Sequence, residues 1–162
     1  MAIGVHSWSM PNTIVQYAGE KVLMKRSETS IEKNRDFFDG DIRKMAINNQ
    51  HFRRVIYTGP YAQLVVMSIP SGEDIGEKIL LNTDQVLVIV EGEGRAILNG
   101  QEQLAQEHSV IFVTAGTRHN IRNTGRKALK TVTVYAPSEY ADGTTQKTRE
   151  DAMLLDHEAS FM

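Results

Sequence analysis

The sequence predicts an all-β domain, an antiparallel sandwich or barrel with short helices at its flanks. Between about Phe52 and Ala136, short apolar runs alternate with dense turn signals, which is typical of such folds. Helical periodicity is confined to the two sides of that stretch. The length of 162 residues suits one domain, and an apolar fraction of 41% is that of an ordinary globular protein. We expect an N-terminal arm with a short helix over 1–48, the barrel over 49–147 and a C-terminal helix or tail over 148–162.

The composition excludes several classes of function. The chain has no cysteine, which removes disulfides, thiolate catalysis and cysteine-ligated metal centres. Lys and Arg total 18 against 20 Asp and Glu, a balance that argues against a nucleic-acid partner. No run approaches the roughly 18–20 apolar residues of a membrane span, and the first residues lack the pattern of a signal peptide. We therefore expect a soluble, cytoplasmic protein with no nucleic-acid and no membrane partner.

The N-terminal part contains one clear helix signal. The runs Thr13–Tyr17 and Lys21–Met24 are compatible with strands, the polar run Ser27–Asp36 predicts a loop, and we expect Trp8 to anchor the arm. Over Asp39–Asn48, apolar residues recur at helical spacing, with Asp39 or Asp41 as the N-cap. At the other end, Thr148 followed three residues later by Asp151 predicts a second capped helix. We expect both helices to cover barrel edges or a partner subunit.

The central region divides into seven predicted strands separated by Gly, Pro and Asn turns. These strands are Phe52–Thr58, Gln63–Ile69, Gln85–Val90, Arg95–Leu98, Val110–Val113, His119–Arg122 and Leu129–Tyr135. Asn99-Gly100 is the strongest turn signal, because both central positions of a type I′ turn need positive φ, and it predicts a hairpin over Arg95–Gln103. The run Val86–Val90 is apolar on successive residues, which indicates a strand covered on both faces or packed against a second subunit. With the N-terminal arm, it leads us to expect a homodimer.

Three stretches resemble the cupin superfamily, in particular small bacterial single-domain cupins. Residues 72–85, GEDIGEKILLNTDQ, followed by EGEG at 91–94, resemble cupin motif one, and residues 114–125, TAGTRHNIRNTG, resemble motif two. Residues 135–144, YAPSEYADGT, resemble the segment that follows the last barrel strand in those proteins. The resemblance implies a double-stranded β-helix, a small jelly-roll barrel, in agreement with the strand and turn pattern.

The resemblance also implies four metal-ligand positions, and here the sequence departs from the family. The His-X-His pair and the Glu of motif one fall on Lys78, Leu80 and Gln85, and the His of motif two falls on His119. An ammonium group repels a metal ion, a leucine has no lone pair, and an amide is a weak donor. We therefore expect a barrel without a metal and without another cofactor. A metal site displaced to His119, Gln85 and a further donor is the less favoured alternative.

The same positions define the candidate site. Strand alternation predicts that Lys78, Leu80, Gln85, Leu87 and Ile89 share one face and that His119 and Ile121 face them. His119 is the candidate acid or base, and Lys78 is a second candidate catalytic group if burial allows it to lose its proton. Their structural alternatives are a His119 hydrogen-bonded to Gln85 or to a tyrosine and a Lys78 that reaches solvent or pairs with Glu77 or Glu91.

The remaining candidate residues would bind rather than react. The ligand-binding set is Gln85, Leu80, Leu87, Ile121, Tyr135 and Tyr140, with Tyr57 as a further possible phenol donor at the mouth. Leu80 in place of a polar ligand makes the pocket more apolar and favours an apolar organic molecule. We thus expect a metal-free protein that binds a small, fairly apolar metabolite. Such a barrel could catalyse proton transfer, isomerisation, cyclisation or elimination as a metal-independent isomerase, cyclase or lyase. The alternative is a non-catalytic scaffold or ligand sensor.

Overall fold

The computed structural model describes residues 36–159, and side chains for residues 36–154. The elements are α1 (Ile42–Asn48), β1 (Arg53–Thr58), β2 (Gln63–Ile69), β3 (Lys78–Ile79), β4 (Asp84–Glu91), β5 (Glu93–Leu98), β6 (Gln101–Gln106), β7 (Val110–Val113), β8 (Arg118–Asn123), β9 (Leu129–Ala136), β10 (Thr145–Gln146) and α2 (Arg149–Ala159). The expectations for Trp8, Thr13–Tyr17, Lys21–Met24 and nearly all of Ser27–Asp36 lie outside the described residues.

The strands form two antiparallel sheets that face each other. One has six strands in the order β10-β1-β2-β9-β4-β7, and the other has four in the order β3-β8-β5-β6. The main core lies between them and draws on both, with Leu87 of β4 and Ile121 of β8 fully buried. This arrangement is a jelly-roll barrel, so the predicted all-β fold is confirmed.

The seven predicted strands are all present, with ends that differ by no more than about two residues. Strands β3 and β10 were not predicted, and of β6 only the first half was predicted, as part of the hairpin over Arg95–Gln103. The first two are only two residues long, and β6 has the sequence QEQLAQ, with five of its six residues exposed. Such segments lack the apolar alternation by which a strand is recognised, because they join the sheet through their backbone.

The predicted hairpin is confirmed. Asn99 and Gly100 have φ of 49° and 83°, the left-handed conformation that a type I′ turn requires, and they join β5 to β6. The hairpin extends the four-stranded sheet to its outer strand, β6.

Helix α1 lies on a sheet face rather than at an edge. Its N-cap is Asp41, whose carboxylate accepts a hydrogen bond from the Lys44 amide at 2.9 Å. Ala46 packs against Val66 and Val132 on the outer side of the six-stranded sheet. The barrel-edge alternative expected for this helix was wrong, because its apolar residues pack against outward valines of the sheet's inner strands. Contact with a partner subunit stays a prediction.

Helix α2 begins with the predicted cap and contacts the edge strand β10. The Thr148 hydroxyl accepts a hydrogen bond from the Asp151 amide at 3.2 Å, and the Asp151 carboxylate accepts one from the Thr148 amide at 3.1 Å. Arg149 then donates to the Asp74 carboxylate at 2.8 Å and to its carbonyl oxygen at 2.9 Å. These bonds fix the helix to the loop that precedes β3. Among the described residues, neither helix is long and apolar enough to cross a membrane.

Candidate functional site

The candidate residues line the inner faces of the two sheets. On β4, the inward side chains are Gln85, Leu87 and Ile89, each no more than 1% exposed. On β8, His119 is 1% exposed and Ile121 is fully buried. The inward faces predicted for β4 and β8 are therefore correct, and these residues lie inside the barrel. The prediction that Lys78 and Leu80 share the face of Gln85 was wrong, because β3 lies beside β8 in the four-stranded sheet, where Lys78 pairs with His119, and Leu80 follows the end of β3.

A series of contacts joins the polar members of the site. The Gln85 amide donates to the Tyr135 hydroxyl at 3.0 Å, across the β4–β9 pair. The Tyr135 ring meets the Tyr140 ring edge to face, with centroids 5.3 Å apart. The Lys78 ammonium donates to the Tyr140 hydroxyl at 3.4 Å. Both tyrosines thus belong to the site, Tyr135 in its interior and Tyr140 on its half-buried side.

His119 is held differently from the expected structural alternative. Its Nδ1 lies 2.9 Å from the Thr117 carbonyl oxygen, and its buried Nε2 has no hydrogen-bond partner. The suggested bond to Gln85 or to a tyrosine was wrong, because Gln85 bonds to Tyr135 instead. A carbonyl oxygen only accepts, so Nδ1 carries the hydrogen and the lone pair of a neutral ring is on Nε2.

The surroundings of His119 keep it neutral. Burial lowers the pKa of His119 below 6.5, the Thr117 bond opposes this, and the positive charge of Lys78 lowers it further. Lys78 is the residue paired with His119 across the β3–β8 ladder. The ring is therefore a base or hydrogen-bond acceptor at neutral pH.

Three buried polar residues beside the site were not predicted from the sequence: Arg53, Gln63 and Gln146. Arg53 is fully buried, donates to the Gln146 side chain at 2.6 Å and places its guanidinium 4.4 Å from the centre of the Tyr140 ring. Gln63 donates to the Tyr140 carbonyl oxygen at 2.7 Å and accepts from its amide at 3.0 Å. They belong to β1, β2 and β10, but a polar residue type gives no sequence signal that its side chain is buried.

Two other candidates have less direct roles. Leu80 is half-buried and packs against the main core, as expected for an apolar wall. Tyr57 is not at the mouth of the barrel, because its ring lies 6.0 Å from that of Phe38. Phe38 packs against the apolar cluster that contains Ala46 and Val66, on the outer side of the six-stranded sheet.

The residues present do not fit the metal centre that the resemblance implies. Of the four positions only His119 offers a strong donor, Gln85 already bonds to Tyr135, and Lys78 sets a positive charge beside the imidazole. Among the described residues, no three His, Asp or Glu side chains are grouped so that they could hold an ion.

One cavity in the described part of the chain lies away from His119, which is not among its lining residues. It has a volume of about 330 Å³ and is lined by β5, β6 and β7 residues, among them Leu104, Ser109 and Phe112. A second cavity, of about 220 Å³, is formed along α1. Tyr135, Ile121 and Leu87 fill much of the barrel interior with their own side chains.

Comparisons with known proteins agree with this architecture. Residues 65–135 match the family model described as a cupin domain. The Bacillus subtilis (strain 168) protein YrkC, described as uncharacterized, is 34% identical over 160 residues, 92% of this chain and 86% of that protein. A crystal structure of BH2720 from Bacillus halodurans is 36% identical, with a TM-score of 0.71 over 72% of this chain and 93% of that one. TT1209 from Thermus thermophilus, at 20% identity and a TM-score of 0.56 over 61% of this chain and 96% of that one, shares the fold. The chain belongs to the cupin superfamily.

Proposed function

We propose that this cupin binds a small organic molecule inside the barrel without a metal ion, with His119 as the acid/base group. The observation that supports it is a pair of buried polar atoms without hydrogen-bond partners, Nε2 of His119 and Oε1 of Gln85. A buried polar atom left unsatisfied costs about 1–3 kcal/mol, so a water or ligand that supplies the missing bond is favoured.

The chemistry follows from the state of His119. Its neutral Nε2 takes a proton from an O–H or C–H bond of the ligand, the bonding electron pair stays on the ligand, and the Lys78 ammonium stabilises the resulting charge. Return of the proton to another ligand atom gives an isomerisation. Loss of a leaving group from the same anion gives an elimination, and internal attack by it gives a cyclisation.

The apolar walls set the kind of ligand. Leu87 and Ile121 are fully buried on the two facing sheets, and Leu80 packs beside them. Burial of an apolar molecule against such side chains contributes about 25 cal/mol per Å². The proposed ligand is accordingly more apolar than a sugar phosphate.

The test is a screen of small uncharged molecules against protein carrying ¹⁵N-labelled histidine rings. We expect binding to shift the His119 resonances, and His119→Ala to weaken binding at least roughly tenfold, about 1.4 kcal/mol. His108→Asn is the matched control, because His108 is an exposed turn residue with a φ of 72° that Asn tolerates. A His119→Ala variant with unchanged affinity would remove the residue from this role.

The second candidate is a non-catalytic scaffold or sensor. It is favoured by the burial of the site, since His119, Gln85 and Tyr135 are each no more than 1% exposed. In that case ordered water satisfies the inner polar atoms and no organic molecule enters. A crystal structure that shows only water at His119 after soaking with the ligands found in the screen would support the scaffold.

We also propose that two copies associate through the β6–β7 side of the barrel. Strand β7 ends the six-stranded sheet, and its outward residues Val110 and Phe112 are 66% and 61% exposed. Leu104 of β6, which ends the other sheet, is 53% exposed beside the same 330 Å³ groove. An edge strand with apolar outward residues is a template for a second strand, and antiparallel pairing of β7 with its own copy satisfies two-fold symmetry.

We propose that this protein is located in the cytoplasm. Cell fractionation followed by detection of the native protein tests that location directly.

A further inference from the structure

His119 and Gln85 present the same kind of polar atom to the barrel interior. We infer that the barrel selects an uncharged molecule whose hydroxyl group donates a hydrogen bond to Nε2 of His119. The inference rests on the proposed function, since it names the class of ligand for the same site.

The donor role of the ligand follows from the bonds already made around His119. Nδ1 donates to the Thr117 carbonyl oxygen, which leaves Nε2 of the neutral ring with a lone pair and no hydrogen. That atom is buried and without a partner. Only a group that brings its own hydrogen satisfies it.

Gln85 adds a second acceptor with the same requirement. Its amide nitrogen donates to the Tyr135 hydroxyl, and its carbonyl oxygen is buried without a partner. Gln85 and His119 lie at the same end of the barrel, because the turn that leads into β8 is tied to the start of β4 by a 2.8 Å bond from the Ala115 amide to the Asp84 carboxylate. The two acceptors therefore lie on facing sheets at one end of the barrel interior.

The same atoms discriminate against charged ligands. A carboxylate has no hydrogen to donate to Nε2 or Oε1, so it leaves both acceptors unsatisfied even though the Lys78 ammonium attracts its charge. An alkylammonium ligand would meet the Lys78 ammonium, which is near enough to His119 to lower its pKa. A hydroxyl group has the required hydrogen and no charge.

The rest of the interior determines the body that carries the hydroxyl. Apolar side chains predominate, and Leu87 and Ile121 lie beside the two acceptors on their own strands. Two further buried hydroxyls without partners, those of Thr131 and Thr133, follow Tyr135 down the inner face of β9. A compact apolar ring with one hydroxyl, such as a phenol, combines an apolar body with a donor for Nε2 and is the simplest probe of that bond.

The experiment compares phenol, toluene and benzoate, which have nearly the same size and differ in the group offered to Nε2. Binding of each is measured by calorimetry and by the ¹⁵N shifts of the His119 ring. We expect phenol to bind at least tenfold more tightly than toluene or benzoate and to shift Nε2 more than Nδ1. In His119→Leu, which keeps the position buried and apolar, phenol should lose its advantage over toluene, and His108→Asn should retain it.

Each result is decisive. If toluene or benzoate binds as tightly as phenol and shifts the His119 ring, the inference fails while the proposed ligand site stands. If none of the three shifts the ring at millimolar concentration, the inference and the proposed function fail together. The wild-type shifts alone decide the matter should His119→Leu not fold.

Discussion

Lys78 and His119 are paired residues on neighbouring antiparallel strands, so that an ammonium group stands beside the barrel's buried imidazole. In a metal cupin both positions would supply ligands, whereas here one of them supplies a positive charge. Burial lowers the pKa of His119 most, and the charge of Lys78 lowers it further, so the pairing favours the neutral ring. The same ammonium repels a metal ion and favours the neutral imidazole as a base.

The first prediction concerns the metal. Wild-type protein should show no sub-micromolar, stoichiometric binding of Mn²⁺, Fe²⁺, Ni²⁺ or Zn²⁺ in calorimetry, because only one of the four positions is a strong donor. The triple variant Lys78→His, Leu80→His, Gln85→Glu should gain such binding, since the barrel already positions the side chains. Tight stoichiometric binding by the wild type would contradict the metal-free assignment.

The second prediction is a pH dependence of stability. The pKa of His119 is lower in the folded protein than its usual 6.5, mainly through burial, so the unfolded chain binds the proton more tightly. The contribution is fully present above about pH 6.5 and is lost as the pH falls through the folded value. Denaturant unfolding of wild type and His119→Gln between pH 4.5 and 7.5 measures it, and the difference between them should change with pH only below about 6.5.

The sequence determined the barrel but not the local bonds of the site. Alternation was enough to put Gln85 and His119 on facing inner surfaces, because a buried face leaves no freedom of register. It could not show that Gln85 bonds to Tyr135 or that His119 bonds to Thr117, since both depend on side-chain rotation in a finished core. Arg53 was missed for a related reason. A fully buried arginine becomes plausible only once Gln146 and the Tyr140 ring are known to surround it.

The third prediction tests the bond between Gln85 and Tyr135. Tyr135→Phe removes the hydroxyl that accepts from the fully buried Gln85 amide, and we expect it to lower the free energy of unfolding by about 1–3 kcal/mol. Adding Gln85→Met should recover part of that loss, because the unpaired amide is then gone. Tyr61→Phe is the control, since Tyr61 is 83% exposed. Full additivity of the two core changes would show that they do not interact.

The fourth prediction concerns the association of two copies. Val110→Lys places a charge on the outward face of the edge strand, where it leaves the barrel core untouched but opposes burial of the β6–β7 groove. Light scattering should give a dimer for the wild type and a monomer for the variant at micromolar concentration. Arg126→Lys, at an exposed position in the β8–β9 turn, should behave as the wild type. A monomeric wild type would contradict the proposed interface.

The fifth prediction concerns the attachment of α2. Burial would raise the pKa of Asp74, but hydrogen bonds from Arg149, Gly76 and Asn120 and the Arg149 charge outweigh it, so that its pKa is lower than 3.8. Because the folded pKa is depressed, the stabilisation is present above about pH 4 and is lost as the pH falls through the folded value. Asp74→Asn removes the carboxylate charge that Arg149 binds and leaves the bond from Arg149 to the backbone carbonyl oxygen. We expect it to lower the free energy of unfolding by about 1–2 kcal/mol at pH 7.

The readout for α2 is both global and local. Denaturant unfolding should show the loss at pH 7 and its decrease toward pH 3, while hydrogen exchange should show faster opening of residues 149–154 than of the barrel strands. Glu150→Gln, an exposed change in the same first turn, should shift stability by no more than about 0.5 kcal/mol. Equal effects of Asp74→Asn at pH 7 and pH 3 would mean that the loss comes from packing and not from the carboxylate charge.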